Sequence, residues 1–116
     1  GVNMDNSHLH ILWTNADLLT AEKMVFMYSM NSLKKGWWQK VTMIIWGATT
    51  KLVAENELIQ EKIREAAKLG IGLIACKACA DQLGHTQQLE QLGIEVKYTG
   101  ELLTQLLKGE EHLLTI

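Results

Sequence analysis

Two hydrophobic periods take turns along the chain. Residues 8–14 (HLHILWT) form a short apolar-rich run that reads as a first strand, after which Asn15 or Asp17 can cap a helix running to about Lys35 and ended by Gly36. Residues 41–46 (VTMIIW) are apolar and partly β-branched without clean alternation, as expected of a strand covered on both faces. A short helical piece over 50–55 precedes a longer helix in which Asn56 is the N-cap and Gly70 stands at the C′ position. Between them Ile59, Ile63, Ala66 and Ala67 recur at helical spacing. Residues 71–76 (IGLIAC) make a third strand, and 78–84 with 86–92 a helix broken at Gly84 and closed by Gly93. Residues 94–98 (IEVKY) make a fourth strand, Thr99 caps a helix through Lys108, and 112–116 supply a last strand.

The pattern is βαβαβαβαβ. Alternation of this kind implies right-handed crossovers and a mainly parallel five-stranded sheet between helical layers, a flavodoxin-like three-layer α/β/α sandwich. The leading expectation for strand order is 2-1-3-4-5, which places a ligand crevice at the carboxyl ends of strands 1 and 3. Residues 1–7 carry no periodic pattern and are set apart as a disordered or appended N-terminus, leaving 8–116 as a single domain.

Composition narrows the function. Apolar residues make up 47% and charged residues 21%, as in a packed soluble domain rather than a disordered chain. With 11 Lys+Arg against 13 Asp+Glu, no global positive field draws in nucleic acid or anionic lipid. The longest apolar stretch, 41–48 interrupted at Thr42, is too short to span a bilayer, and no signal peptide is visible, so a cytoplasmic location is expected. Neither a G-x-G-x-x-G after the first strand nor a phosphate-binding G-x-x-x-x-G-K-[ST] occurs, so no nucleotide, flavin or other cofactor is called for. His8 and His10 alternate on one strand face, which suggests a metal site with His85 or the cysteines. They lie early in a strand whose other end faces the expected crevice, no fourth ligand is evident, and no metal is called for.

The only cysteines, Cys76 and Cys79, form C-x-x-C where the third strand gives way to a helix. Unpaired backbone N–H groups at a helix start favour a thiolate, and Lys77 adds a neighbouring positive charge. Cys79, one turn on, is placed to close a disulfide with Cys76 or to take sulfur from it. Asn15, Trp46 and Lys51 are expected to line the same crevice.

The segment over 74–84 (IACKACADQLG) resembles the cysteine segment of the DsrE/DsrF-like family of sulfur-relay proteins, which includes TusD; there a cysteine closes the third strand and a glycine follows eight residues later, as Cys76 and Gly84 do here. Asn31 with Gly36-Trp37-Trp38, Trp46-Gly47 with Lys51-Leu52, and Gly100-Glu101 with Leu114-Thr115-Ile116 extend the resemblance over nearly the whole domain. It implies a persulfide carrier or sulfurtransferase, with Cys76 as the sulfur-accepting residue and with sulfur donor and acceptor proteins as partners. It also implies a homo-oligomer, a trimer or hexamer with a dimer as the fallback. The residues alone leave two alternatives open: a dithiol redox protein cycling through a Cys76–Cys79 disulfide, and a non-catalytic oligomeric interaction module. The first helix carries Met24, Val25, Phe26, Met27, Tyr28 and Met30, more apolar residues than one buried face needs, and points to burial against another subunit, with Trp37 and Trp38 completing the contact.

Overall fold

The computed structural model describes residues 7–116, so the expectation for the N-terminus falls, over 1–6, outside the described residues. Strand β1 (His8–Trp13) leads through Asp17 into helix α1 (18–34). The Asp17 carboxylate accepts from the backbone N–H of Thr20 at 2.8 Å, so Asp17 rather than Asn15 is the cap. Helix α1 widens to π geometry over Ala21–Phe26, which buries Ala21, Val25 and Phe26 and turns Met24 and Met27 outward. Then come β2 (Lys40–Ile45), α2 (Ala48–Glu55), α3 (Glu57–Leu69) and β3 (Gly72–Cys76). The chain continues through α4 (Lys77–Leu83), α5 (Thr86–Gln91), β4 (Glu95–Lys97), α6 (Gly100–Lys108) and β5 (His112–Thr115). Asn56 caps α3 by accepting from the Ile59 N–H, and Gly84 ends α4 at φ +73°, where a Cβ would be strained.

All strands are parallel, and the three-layer sandwich expected from the pattern is present. The strand order is 4-3-2-1-5, not 2-1-3-4-5. The correction follows from burial. In the expected order β2 would lie at an edge, yet Val41 through Ile45 are all buried and need a neighbour on each side. The edges belong to the short β4, which carries Glu95 and Lys97, and to β5. At the start of β3 the packing is tight, because a Cβ on Gly72 would stand 3.1 Å from the Thr42 hydroxyl, which would have to give way by a few tenths of an ångström.

Right-handed crossovers then fix the layers. The steps from β1 to β4 all run one way, so α1 through α5 share one face. There Leu9, Ile11, Trp13, Val41, Met43, Ile45, Leu73 and Ala75 meet Phe26, Val53, Ile59, Ile63 and Leu89. The return from β4 to β5 runs the other way, leaving α6 alone on the second face, where Leu106, Leu102 and Leu103 pack on Leu12, Ile44 and Trp46.

His8 and His10 also lie on this second face, their rings 3.9 Å apart, with His8 Nε2 bonded to Thr42 Oγ1 at 2.8 Å. Burial, then the neighbouring His8 and Lys40, hold the His10 pKa down to about 4, and burial and Lys40 also lower that of His8, against Glu111, which raises it. Between an unfolded pKa near 6.5 and about 4, the unfolded chain binds a proton that the folded one refuses. Stability from this group is therefore complete above pH 6.5, falls as the pH drops through that window and stops falling near 4. Urea midpoints measured across it should decline with acidification, and His10→Leu should flatten most of the decline; an unchanged slope in the variant would assign it elsewhere.

Candidate functional site

Cys76 is the last residue of β3 and the residue from which α4 springs, with φ −64° and ψ 114°. Its alternation puts the side chain on the α6 face, two residues past the pairing of Ile74 with Glu95 and opposite Lys97. One step past the Ile45–Ala75 pairing, Trp46 falls beside it from β2. Only 4% of Cys76 is exposed, whereas Cys79, on the first turn of α4, is partly open. Both are free thiols.

Burial by itself raises the Cys76 pKa, but four donors reverse the outcome. The backbone N–H of Cys79, the Thr99 hydroxyl, the Cys79 thiol and the backbone N–H of Ala78 all favour the thiolate and together hold Cys76 below the ordinary thiol value. Cys79 is displaced upward, by burial and by donating to Cys76, against lowering contributions from the Gly47 N–H and the Thr50 hydroxyl. Of the two, Cys76 is the one whose surroundings favour the thiolate and Cys79 the one whose surroundings favour the neutral thiol.

Two threonine hydroxyls stand close enough to lower the thiol pKa values, Thr99 for Cys76 and Thr50 for Cys79. Thr50 is 0% and Thr99 2% exposed, and the side-chain oxygen of neither has a partner at full hydrogen-bond geometry within the protein. A buried hydroxyl without an oxygen or nitrogen partner costs about 1–3 kcal/mol, so its persistence beside a sulfur calls for a reason. Thr99 occupies the N-cap of α6 without its side chain capping that helix; only its carbonyl serves, accepting from Leu103. Gly47, at φ +70°, makes the turn out of β2 that presents its N–H and the start of α2 to Cys79.

The remaining expected residues are dispersed. Lys51, exposed and without an ion pair among the described residues, lines a crevice of about 310 Å³ with Gly47, Ala48, Cys79, Gln82 and Leu83. Lys77 is held by Asp81 at 2.6 Å and lies 5.8 Å from the Tyr98 ring centroid, so its charge is already engaged. Asn15 follows β1, where its N–H donates to the Ile116 carbonyl and its side chain accepts from Asp17 N–H. Strand β2 intervenes between Asn15 and the cysteines, so the expected crevice between strands 1 and 3 does not form. Thr50 and Thr99 escaped the sequence reading; Thr99 had been taken as a plain helix cap. Among the described residues no three His, Cys, Asp or Glu side chains come together to hold a metal ion.

The fold and this turn define a parallel α/β protein with a thiolate-favouring cysteine at the carboxyl end of a strand. No family model and no curated protein matches the chain. Among solved structures it is similar to the conserved protein of unknown function BT1422 from Bacteroides thetaiotaomicron, with 39% sequence identity, a TM-score of 0.96 and complete coverage of both chains. The chain belongs to the BT1422 family.

Removing the Thr99 hydroxyl while keeping its shape isolates its effect. Thr99→Val should shift the onset of Cys76 alkylation, and of the thiolate ultraviolet absorbance, to higher pH, and Thr50→Val should do the same for Cys79. An unchanged Cys76 titration in Thr99→Val would show that the backbone donors suffice.

Proposed function

We infer that the protein carries sulfur as a persulfide on Cys76. The observation that supports this reading is the convergence of two backbone N–H groups and the Thr99 hydroxyl on a buried Cys76 sulfur, which favours an anionic sulfur in a place shielded from bulk thiols. A perthiolate terminus has the same charge and the same need for donors. The resemblance of residues 74–84 to the DsrE/DsrF-like cysteine segment points the same way and adds donor and acceptor proteins as partners. No helix among the described residues is long and apolar enough to cross a membrane.

Dithiol redox chemistry is the second reading, favoured by the closeness of the two thiols, each of which shifts the pKa of the other. Intact-protein mass spectrometry after incubation with excess persulfide donor separates the two. Gain of one sulfur atom supports the carrier, and loss of two hydrogens supports the disulfide. Cys76→Ala should hold no sulfur and Cys79→Ala should still load; equal loading of the Cys76→Ala variant overturns the assignment.

The same reading includes self-association through α1. Met24, Met27 and Trp37 are 38, 48 and 56% exposed and border a common hollow with Tyr28, an amount of apolar surface that a second copy would remove from water. Trp38, by contrast, is used within the protomer, donating to the Tyr28 hydroxyl at 3.1 Å and packing on His112. Light scattering at micromolar concentration should report an oligomer that Met24→Glu with Met27→Glu, both at exposed positions, splits into folded protomers; a monomeric unmodified protein returns α1 to an ordinary packing role.

A further inference from the structure

At 4% exposure the Cys76 sulfur meets a donor directly only at a slow rate. The way in is visible one turn along α4. Cys79 is partly exposed and forms part of the wall of the 310 Å³ crevice, one helical turn from Cys76 and close enough that each thiol shifts the pKa of the other. The crevice is mainly apolar, bounded by Gly47, Ala48 and Leu83, with the amide of Gln82 and one cation, Lys51. The Thr50 hydroxyl on α2, fully buried and without a hydrogen-bond partner, lies close enough to lower the Cys79 pKa. An apolar hollow with a single positive charge and a thiol fits a small anionic molecule whose sulfur lies next to its charged end.

Resting on the carrier reading, we propose that Cys79 is the entry thiol of a two-cysteine relay and that its crevice, through Lys51, receives a low-molecular-weight anionic sulfane-sulfur donor of the thiosulfate type. The steps balance. The Cys79 thiol gives its proton to the Cys76 thiolate and attacks the sulfane sulfur of thiosulfate; the S–S bond of the donor breaks and sulfite leaves with the electron pair. The new Cys79 persulfide takes the proton back from Cys76. The Cys76 thiolate then attacks the outer sulfur, Cys79 departs as a thiolate and recovers the proton, and Cys76 keeps the sulfur as a perthiolate. In sum, thiosulfate becomes sulfite, one sulfane sulfur moves to Cys76, and Cys79 is regenerated. Cys76 is thus both the base for entry and the final holder, which is why its loss abolishes loading.

Trypsin separates the two sulfurs, because cleavage at Lys68, Lys77 and Lys97 places Cys76 in the peptide 69–77 and Cys79 in 78–97. After alkylation, the intact protein treated with thiosulfate or with an uncharged organic trisulfide should show added sulfur on 69–77. Cys79→Ala should slow its appearance from either donor by at least about tenfold, and Lys51→Met should slow it by about tenfold from thiosulfate alone, the loss of one charge-assisted contact. Loading of Cys79→Ala at the unmodified rate overturns the relay, as does a Lys51→Met variant that slows both donors equally or neither. If no sulfur reaches either peptide from either donor in the unmodified protein, the carrier reading itself fails and the relay with it.

Discussion

A right-handed crossover between parallel strands can place its helix on only one side of the sheet for a given direction of travel. In this chain the direction reverses once, between β4 and β5, and α6 alone crosses to the second face. That reversal brings Thr99, the residue opening α6, down onto the face that Cys76 occupies by alternation. With α6 on the crowded face instead, the Cys76 sulfur would keep its backbone donors from α4 but lose the hydroxyl. The chemistry of the turn therefore rests on chain topology as much as on the C-x-x-C spacing.

Burial and hydrogen bonding oppose one another at this point, and the balance between them differs for two residues three positions apart. Cys76 is the more deeply buried, yet it collects more donors and its pKa is lowered; Cys79 has fewer donors and itself donates to Cys76, and its pKa is raised. A depressed and a raised thiol in contact form a matched base and proton source, the arrangement that a transfer between two sulfurs requires.

Much of this was legible in the amino-acid pattern. The strands begin and end within about two residues of their hydrophobic runs, and the caps at Asp17 and Asn56 and the glycine at 70 stand where short polar side chains and a Cβ-free residue predict them. Strand order was not legible from periodicity, because a βα alternation fits either placement of β3. A clue was nevertheless present in the charges of Glu95 and Lys97 and in the unbroken apolar run of β2, which assign edge and centre. The cysteine turn was visible as a motif, but its hydroxyls were not. Thr99 lies 23 positions from Cys76, and a threonine before a helix looks like a cap until tertiary structure shows its side chain turned elsewhere.

The two edges of the sheet have an implication for how copies of this chain can meet. At one margin β4 has three residues, with Glu95 and Lys97 paired across 3.3 Å; at the other, β5 has four and is entered through the exposed Glu110, Glu111 and His112. Short, charged margins are poor templates for a further strand, so the hydrogen-bonded ladder ends within the protomer. The helix faces are then the surfaces left for copies to meet through. Such a contact leaves the sheet's backbone bonds untouched, and subunits joined that way can come apart and rejoin without unzipping the domain.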